Sequence, residues 1–302
     1  MMLFRSKKRL KKDAADMASL TLRKSRGSDV WGRLLRNRLG MVGAIIVVII
    51  VLLVVFAQFV TWHDYADQNM SNRFQFPNRE HIMGTDNFGR DIWSRLVYGG
   101  RISLLVALMA VAISGVVGAI LGSVSGYTGG ATDIVITRIL DIIMSIPALL
   151  LAIAISASLG SGPAKTALAI SISSIPHGAR IIRSTVMSVK GSDFVEAAKA
   201  TGSRSARIIF KHIIPNTIAP LIVNVTLGIG GSIMAISGLS FIGLGVQPPI
   251  PEWGSILAAG RPYIRDFWPI ILFPSLFITL TLLGFNLFGD ALRDALDPRL
   301  KD

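Results

Sequence analysis

Cysteine is absent from the 302-residue chain, and only 16% of its residues are charged. Without cysteine the protein can form neither a disulfide framework nor a thiolate metal site. The four histidines, His63, His81, His177 and His212, show no ligand-like spacing along the sequence, so a bound metal is not expected. Apolar residues make up 51% of the chain, which leaves too little polar material to cover a soluble protein of this length. The composition therefore predicts a protein embedded in lipid.

A phosphate-binding loop is absent as well. Such a loop has the pattern G-x-x-x-x-G-K-[ST], in which backbone amides and a lysine hold the phosphates. No Gly-Lys pair occurs anywhere in the sequence, which excludes this motif. The chain is therefore not expected to be an enzyme that hydrolyses ATP, nor an exporter subunit with a fused ATPase, and it needs no cofactor of its own.

The net charge is +13, but the basic residues are concentrated in particular segments. Residues 1–38 hold twelve of the 31 lysines and arginines, and residues 180–211 hold seven more. A surface that binds nucleic acid would instead carry its basic residues along one face, with aromatic residues between them. A concentration of basic residues in certain loops is typical of the cytoplasmic side of a membrane protein. We therefore expect a lipid bilayer, and no nucleic acid, as partner.

Six segments are apolar and long enough to cross a bilayer, which takes roughly 20 residues. The clearest is the first, which contains no polar side chain. A cleaved signal peptide is the alternative for that segment, but its basic region would be shorter than the 38 residues found here. The predicted spans are Leu39–Ala57, Ile102–Ser125, Ile134–Leu159, Ala164–Ile182, Thr217–Ile236 and Phe267–Leu287.

An even number of spans places both termini on one side of the membrane, and the basic tail assigns that side to the cytoplasm. The sequence thus predicts an all-α integral membrane protein with six transmembrane helices. Its predicted parts are a basic cytoplasmic tail (1–38), a first transmembrane helix (39–60), an extracytoplasmic loop (61–101) and a five-helix core (102–302) that contains a cytoplasmic loop at 190–216.

Two patterns inside the predicted spans concern helix packing. Gly118, Gly122 and Gly126 recur at four-residue intervals, which predicts a stripe where another helix approaches closely, although glycine is also simply common in membrane helices. Arg138 and Asp141 lie three residues apart and share a helix face. They are either a functional intramembrane site or a mutually neutralising pair, and we favour the pair.

The segment at 191–216, GSDFVEAAKATGSRSARIIFKHIIPN, predicts two short helices joined by a turn. Asp193 is expected to cap the first helix, with Glu196 closing a capping box. Gly202 is expected to end that helix in the left-handed conformation.

The second helix of this segment is expected to start at a Ser203 cap and to stop at Pro215. A short alanine-rich helix held by a glycine turn is suited to docking into a cleft of another protein. A solvated connector is the alternative.

Glu196-Ala197-Ala198, followed after three residues by Gly202 and later by Pro215, resembles the EAA loop of ABC importer permeases. His212 stands where that loop usually has an apolar residue, and the string HIIPN that it begins resembles the version in dipeptide and oligopeptide permeases. Longer motifs in the same order extend the resemblance over almost the whole chain: GTDNFGRDIWSRLVYGGRISL at 84–104, LSFIGLGVQPPIPEWGSIL at 239–257 and FNLFGDALRDALDPRLK at 285–301.

The resemblance implies a type I ABC importer permease fold with a cytoplasmic coupling helix, in the cytoplasmic (inner) membrane of a prokaryote. It implies a second permease subunit that completes the pore and an extracytoplasmic substrate-binding protein. It also implies two separate ATP-binding subunits, which bind the ATP and Mg²⁺. The residues implied to couple this chain to an ATPase are Glu196, Ala197, Ala198, Gly202, Arg207, His212 and Pro215.

Peptides are the substrates that the resemblance favours, with nickel complexes, glutathione or sugars as alternatives, and no residue is assigned to a substrate contact. A secondary transporter or channel is the second alternative, but such proteins often show internal repeats, and none is evident here. Replacing Gly202 with Asp is expected to preserve folding and to uncouple ATP hydrolysis from transport.

Two segments with equal numbers of acidic and basic residues are expected outside the membrane: Trp62–Arg101, with five of each sign, and Ser237–Asp266, with two of each. Each contains a shorter stretch of interest. The segment Gly84–Arg101 alternates Arg and Asp, which favours a packed cap with internally paired charges over a docking surface or a lid. The segment 248–253 contains three prolines and Trp253, which predicts a rigid turn with an interfacial tryptophan.

Overall fold

The computed structural model describes residues 30–296, and its regular structure is helical apart from one isolated bridge between Thr85 and Asp91. The first 29 residues of the predicted basic tail and the end of the C-terminal motif lie outside the described residues. The principal helices are α1 (Arg38–Val55), α2 (Ile92–Thr128), α3 (Gly130–Met144), α4 (Ala148–Leu159), α5 (Pro163–Val189), α6 (Asp193–Ala200), α7 (Ser205–Ile208), α8 (Ile218–Phe241), α9 (Trp253–Gly260) and α10 (Pro269–Leu296).

Four of these helices, α1, α2, α8 and α10, are long and apolar enough to cross a membrane. The helices α3 and α4 add a fifth candidate if the bent pair is one span. The predicted fourth span falls on α5, which has the length but is interrupted by basic residues, among them Lys165, Arg180 and Arg183. Helix α2 begins at Ile92, ten residues before the predicted span, because its first turns pack in a polar cap rather than in an apolar layer.

The third predicted span is not one straight helix. Helices α3 and α4 meet at 85° across a break of three residues that ends in Pro147. Proline has no backbone N–H and disfavours helical geometry in the residue before it, which explains the break.

The predicted glycine stripe packs α2 against α5, as expected. A Cβ atom at Gly122 would lie 2.4 Å from the carbonyl oxygen of Ala179, and one at Gly126 would lie 2.9 Å from that of Arg183. Only glycine lets the two backbones approach this closely. Helices α2 and α5 are therefore closely packed and are called the α2–α5 unit below.

The predicted pairing of Arg138 with Asp141 is wrong. Asp141 pairs instead with Arg180 on α5, at 2.5 Å, and Asp133 pairs with Arg183, also on α5, at 2.6 Å. Both carboxylates lie on α3, so the two ion pairs tie α3 to α5. The packing of α3 on α5 decides these partners, not the spacing along one helix.

The start of α2 is buried in a polar cap formed by the loop that follows α1. The Asp86 carboxylate pairs with Arg90 at 2.7 Å and with Arg95 at 3.5 Å, and all three side chains are buried. This confirms the prediction of a packed cap with internally paired charges. The interfacial position predicted for Trp253 is wrong, because this side chain is fully buried and its indole N–H donates to the carbonyl oxygen of Leu96 at 2.8 Å.

Candidate functional site

Helix α6 is the first half of the predicted docking loop. Asp193 and Glu196 lie in its first turn and Lys199 in its last, an order that complements the helix dipole. The cap is Ser192 rather than Asp193, and the Ser192 hydroxyl donates to the carbonyl oxygen of Val189 at 2.7 Å. The predicted capping box is therefore wrong by one residue, since Asp193 is already helical.

The end of α6 has the geometry predicted for it. Gly202 has φ +72°, its N–H donates to the carbonyl oxygen of Lys199 at 2.9 Å, and the N–H of Ser203 donates to that of Ala198 at 3.1 Å. These two bonds define a Schellman motif. A Cβ atom at Gly202 would meet no atom within 4 Å, so only the backbone conformation, and not crowding, favours glycine here.

The two faces of α6 differ in what they contact. Val195 and Ala198 are buried and face the rest of this chain. Phe194, Glu196 and Ala197 are exposed, and Phe194 exposes 40% of its surface. The predicted contact set is therefore split, because Ala198 faces inward while Glu196, Ala197 and Gly202 face outward. Phe194 was not predicted, although its position three residues before Ala197 places both on one face.

The second half of the loop is only partly α-helical. Helix α7 is a single turn whose cap is Arg204 rather than Ser203, and it continues as a π-helical turn at Ile209–Ile213 and a 3₁₀ turn at Ile214–Asn216. Pro215 lies in the last turn, next to the start of α8, where its missing N–H prevents a continuous α-helix. The predicted second helix thus exists but changes type along its length.

The other predicted coupling residues lie on this second half. Arg207 and Pro215 are exposed, whereas His212 is half-buried. The His212 carbonyl accepts a hydrogen bond from the Asn216 side chain at 2.6 Å. Their exposure leaves Arg207 and Pro215 free to meet a partner, and His212 contributes to the turn itself.

A hydrophobic cluster fixes the loop to the α2–α5 unit. Val195 and Ala198 of α6 pack with Tyr127 at the end of α2 and with Ile182 and Val186 of α5. From the second half of the loop the cluster includes Ile208, Ile209 and Ile213.

Two cations lie near the aromatic ring of Tyr127, a member of this cluster. The ammonium groups of Lys190 and Lys199 lie 5.9 and 5.7 Å from the centroid of the Tyr127 ring, within the range of a cation–π interaction. The hydrophobic cluster and these cation–π contacts thus connect α6 directly to α2 and α5.

Comparison with known proteins places the chain among transport proteins. Residues 118–302 match the family described as the binding-protein-dependent transport system inner membrane component. Residues 25–77 match the N-terminal TM domain of oligopeptide transport permease C.

Two relatives illustrate the similarity. The dipeptide transport system permease protein DppC of Alkalihalophilus pseudofirmus is 46% identical over 90% of this chain and 90% of its own length. The glutathione transport system permease protein GsiD of Escherichia coli is 42% identical, again over 90% of each chain.

A solved structure shares the fold. The inward-facing MetNI methionine ABC transporter aligns with a TM-score of 0.55 at 17% identity, and the alignment covers 68% of this chain and 98% of that one. This likeness concerns the fold of the helical core alone.

Proposed function

The chain belongs to the family of binding-protein-dependent transport system inner membrane components, the permease subunits of ABC importers, and from this premise we propose that it carries di- and oligopeptides across the cytoplasmic membrane. It is a multi-pass membrane protein and a transport permease rather than an ATPase. Family membership sets aside the secondary transporter or channel as an alternative.

Two observations favour peptides as the substrate. The 46% identical relative is named for dipeptides, and a 43% identical relative from Brucella abortus is named a putative peptide transport system permease protein. The HIIPN string at the end of the loop also resembles the peptide-permease version of that motif. Glutathione, nickel complexes and sugars remain the competing substrates that an experiment must test.

We further propose that α6 is the element that couples this permease to an ATP-binding subunit. The observation that carries this proposal is the outward face of α6, where Phe194 and Ala197 are exposed while Val195 and Ala198 anchor the helix. A solvated connector needs no exposed aromatic side chain and no rigid attachment. An exposed aromatic residue that would be desolvated in a cleft is the usual anchor of a protein interface.

The position of the loop supports a cytoplasmic orientation. The polar cap at the start of α2 and the loop cluster around Tyr127 lie at opposite ends of this 37-residue helix, about 55 Å apart. That length exceeds the thickness of a bilayer. With the basic loop in the cytoplasm the cap lies outside, where a substrate-binding protein would approach, and both termini lie inside.

ATP binding by two such subunits would draw their clefts together and move the docked helices. Because α6 is fixed to α2 and α5, this motion would reach the membrane helices without unfolding the loop. In this scheme a second, similar permease subunit completes the pore. The nucleotide acts by favouring one of two packed states of the assembly.

The coupling proposal is tested with Phe194→Ala in a complex reconstituted in lipid with both permease subunits, the two ATP-binding subunits and the binding protein. The variant is expected to retain its fold and to lose much of its affinity for the ATP-binding subunits and its peptide uptake. The matched control is Phe59→Ala, which removes a 72% exposed phenylalanine from the segment that contacts the start of α2, at the other end of that helix from the loop. Equal effects of both variants, or no effect of either, would contradict a specific role for α6.

The substrate proposal is tested by the ATPase activity of the same wild-type complex. Stimulation by dipeptides and oligopeptides, but not by glutathione, nickel complexes or sugars, is expected. Stimulation by one of the latter alone would keep the importer and overturn the peptide assignment. Failure of the complex to assemble would count against the coupling scheme itself.

A further inference from the structure

Three side chains that are widely separated in sequence meet in the polar cap. They are His63 in the loop after α1, His81 in the following turn, and Asp91 directly before α2. One potential ligand atom from each lies within 4.8 Å of those of the other two. Nothing in the importer function described above uses these groups.

The hydrogen bond between His81 and Asp91 determines which ring nitrogen keeps its lone pair. Nδ1 of His81 lies 2.9 Å from Oδ1 of Asp91, whose other oxygen accepts the backbone N–H of Ser94 at 2.7 Å. A carboxylate accepts and does not donate, so Nδ1 of the imidazole carries the hydrogen. In the neutral ring Nε2 is then an acceptor with a free lone pair.

Nε2 of His81 is a buried polar atom without a hydrogen-bond partner among residues 30–296, and the whole residue is only 4% exposed. Leaving such an atom unpaired is unfavourable, and native proteins rarely do so without a ligand or ordered water. An imidazole that donates from one nitrogen to a carboxylate and presents the other nitrogen is the arrangement found in carboxylate–histidine–metal sites. This atom therefore points to a ligand.

His63 supplies a second imidazole, and on its side the cluster is open to solvent. Its ring centroid lies 4.6 Å from that of His81, and its Nε2 lies 3.2 Å from the carbonyl oxygen of Glu80. When Nε2 donates to that carbonyl, Nδ1 keeps its lone pair. His63 is only partly buried, so an ion can reach the cluster from solvent through this residue.

We propose that His63 and His81, supported by Asp91, bind one divalent transition-metal cation of the Zn²⁺ type in the cap. Imidazole nitrogen suits Zn²⁺, Ni²⁺ and Cu²⁺ and disfavours Mg²⁺ and Ca²⁺, which prefer oxygen ligands. Asp91 orients His81 by accepting the hydrogen bond from its Nδ1, and water completes the coordination. The bound ion ties the loop after α1 to the first turn of α2.

The spacing of the histidines in the sequence does not predict this site. His63 and His81 belong to an irregular loop, and the motif rules for metal sites apply to short spacings on one element or to cysteine pairs. The fold of the cap brings the residues together. The sequence-based expectation that no metal binds is therefore replaced by a candidate site.

The test is a titration of the full-length chain in lipid nanodiscs, purified without a polyhistidine tag and stripped of metal with a chelator. Zn²⁺ binding is measured by calorimetry, and Co²⁺ binding by the visible absorption that low-coordinate Co²⁺ acquires. One equivalent of each ion is expected to bind. Because the chain has no cysteine, any such signal comes from nitrogen and oxygen ligands.

Three variants locate the site. His63→Asn and His81→Gln are expected to weaken Zn²⁺ binding at least about 100-fold, since each removes a ligand. Asp91→Asn keeps a side chain able to cap α2 and is expected to weaken binding about 10–100-fold, as for loss of a supporting carboxylate. The control variants His177→Gln and His212→Gln remove the other two histidines and are expected to leave binding unchanged.

The proposal is overturned if the wild-type chain shows no saturable binding, which would indicate that an ordered water alone satisfies His81. It is equally overturned if binding persists in His63→Asn with unchanged affinity, or if it disappears in the control variants. If His81→Gln fails to fold, His63→Asn still tests the proposal, because His63 is only partly buried and its replacement disturbs the packing less.

Discussion

The backbone N–H of Ser203 donates to the carbonyl oxygen of Ala198 at 3.1 Å, and this bond closes α6 through a residue, Gly202, at φ +72°. The same Ala198 faces the hydrophobic cluster at the end of the α2–α5 unit. The turn therefore fixes both where the helix ends and which face it presents. A change at Gly202 in this turn is therefore expected to alter the docking face.

Gly202→Asp is expected to fold normally, because Asp tolerates the left-handed conformation and a Cβ atom here meets no atom within 4 Å. The new carboxylate lies at the exposed end of the proposed docking face, where it would be desolvated on binding. Peptide uptake should fall at least about 10-fold while ATP hydrolysis continues. The control is Gly202→Asn, which has nearly the same shape without the charge and should keep most uptake.

Normal uptake by Gly202→Asp in the assembled complex would remove the coupling role of this turn. Loss of the protein from the membrane would instead make Gly202 structural. Membrane abundance, ATPase activity and uptake measured on the same preparations distinguish these outcomes.

Gly122→Val is expected to destabilise the chain by about 2 kcal/mol or to prevent its folding, because even a Cβ atom would lie 2.4 Å from the carbonyl oxygen of Ala179. The matched control is Gly231→Val in α8, where a Cβ atom meets nothing within 4 Å. The midpoint of thermal unfolding in detergent is the measurement. Similar losses in both variants would show that the effect comes from helix propensity and not from close packing.

The Asp133–Arg183 pair is expected to stabilise the contact of α3 with α5 by roughly 1 kcal/mol in a double-mutant cycle with Asp133→Asn and Arg183→Met. Both charged side chains of this pair are partly buried, with exposures of 20% and 29%. The Asp141–Arg180 pair, at 45% and 50%, provides the comparison and should couple more weakly because solvent screens it. A larger coupling energy for the exposed pair would contradict this ranking.

Glu252, in the segment between α8 and α9, is expected to make the stability of the fold depend on pH. Burial raises the pKa of its carboxyl group, while hydrogen bonds from the Gly254 and Ser255 N–H groups and the Ser103 hydroxyl oppose that shift. A carboxyl group with a raised pKa binds its proton more tightly in the folded state than in the unfolded one. Its contribution to stability is therefore complete below the ordinary pKa of Glu and is lost as the pH rises through the folded-state value.

The measurement for Glu252 is the midpoint of thermal unfolding between pH 4 and pH 8, for the wild type and for Glu252→Gln. Because glutamine carries no charge at any pH, the decline in stability of the wild type with rising pH should be smaller in the variant. Parallel pH profiles would show that Glu252 does not titrate in this window.

Much of the fold follows from local patterns in the sequence. The long apolar runs predict both ends of α1 and the starts of α8 and α10 to within two residues, whereas α8 and α10 continue five and nine residues beyond the predicted spans. Gly202 predicts the end of α6. The stripe that includes Gly122 predicts the close packing of α2 on another helix. These features depend on neighbours in sequence or on a helical period, so the sequence alone determines them.

Contacts between residues that are not related by the helical repeat depend on the tertiary structure. Asp141 pairs with Arg180 because α3 lies on α5, and Trp253 is buried because α9 packs on α2. A spacing of three residues, or the presence of a tryptophan in a loop, could not predict either partner. Such contacts depend on how whole helices are arranged.

The candidate sites show the same division. A helix that ends in a glycine turn follows from the sequence, because helix propensity and turn preferences act over a few residues, although its cap is Ser192 and not Asp193. Only the tertiary structure decided that Phe194 faces out while Ala198 faces in, and that His63 lies against His81. The physical reason is that burial and long-range contact are set by the packing of distant segments, which a linear pattern does not contain.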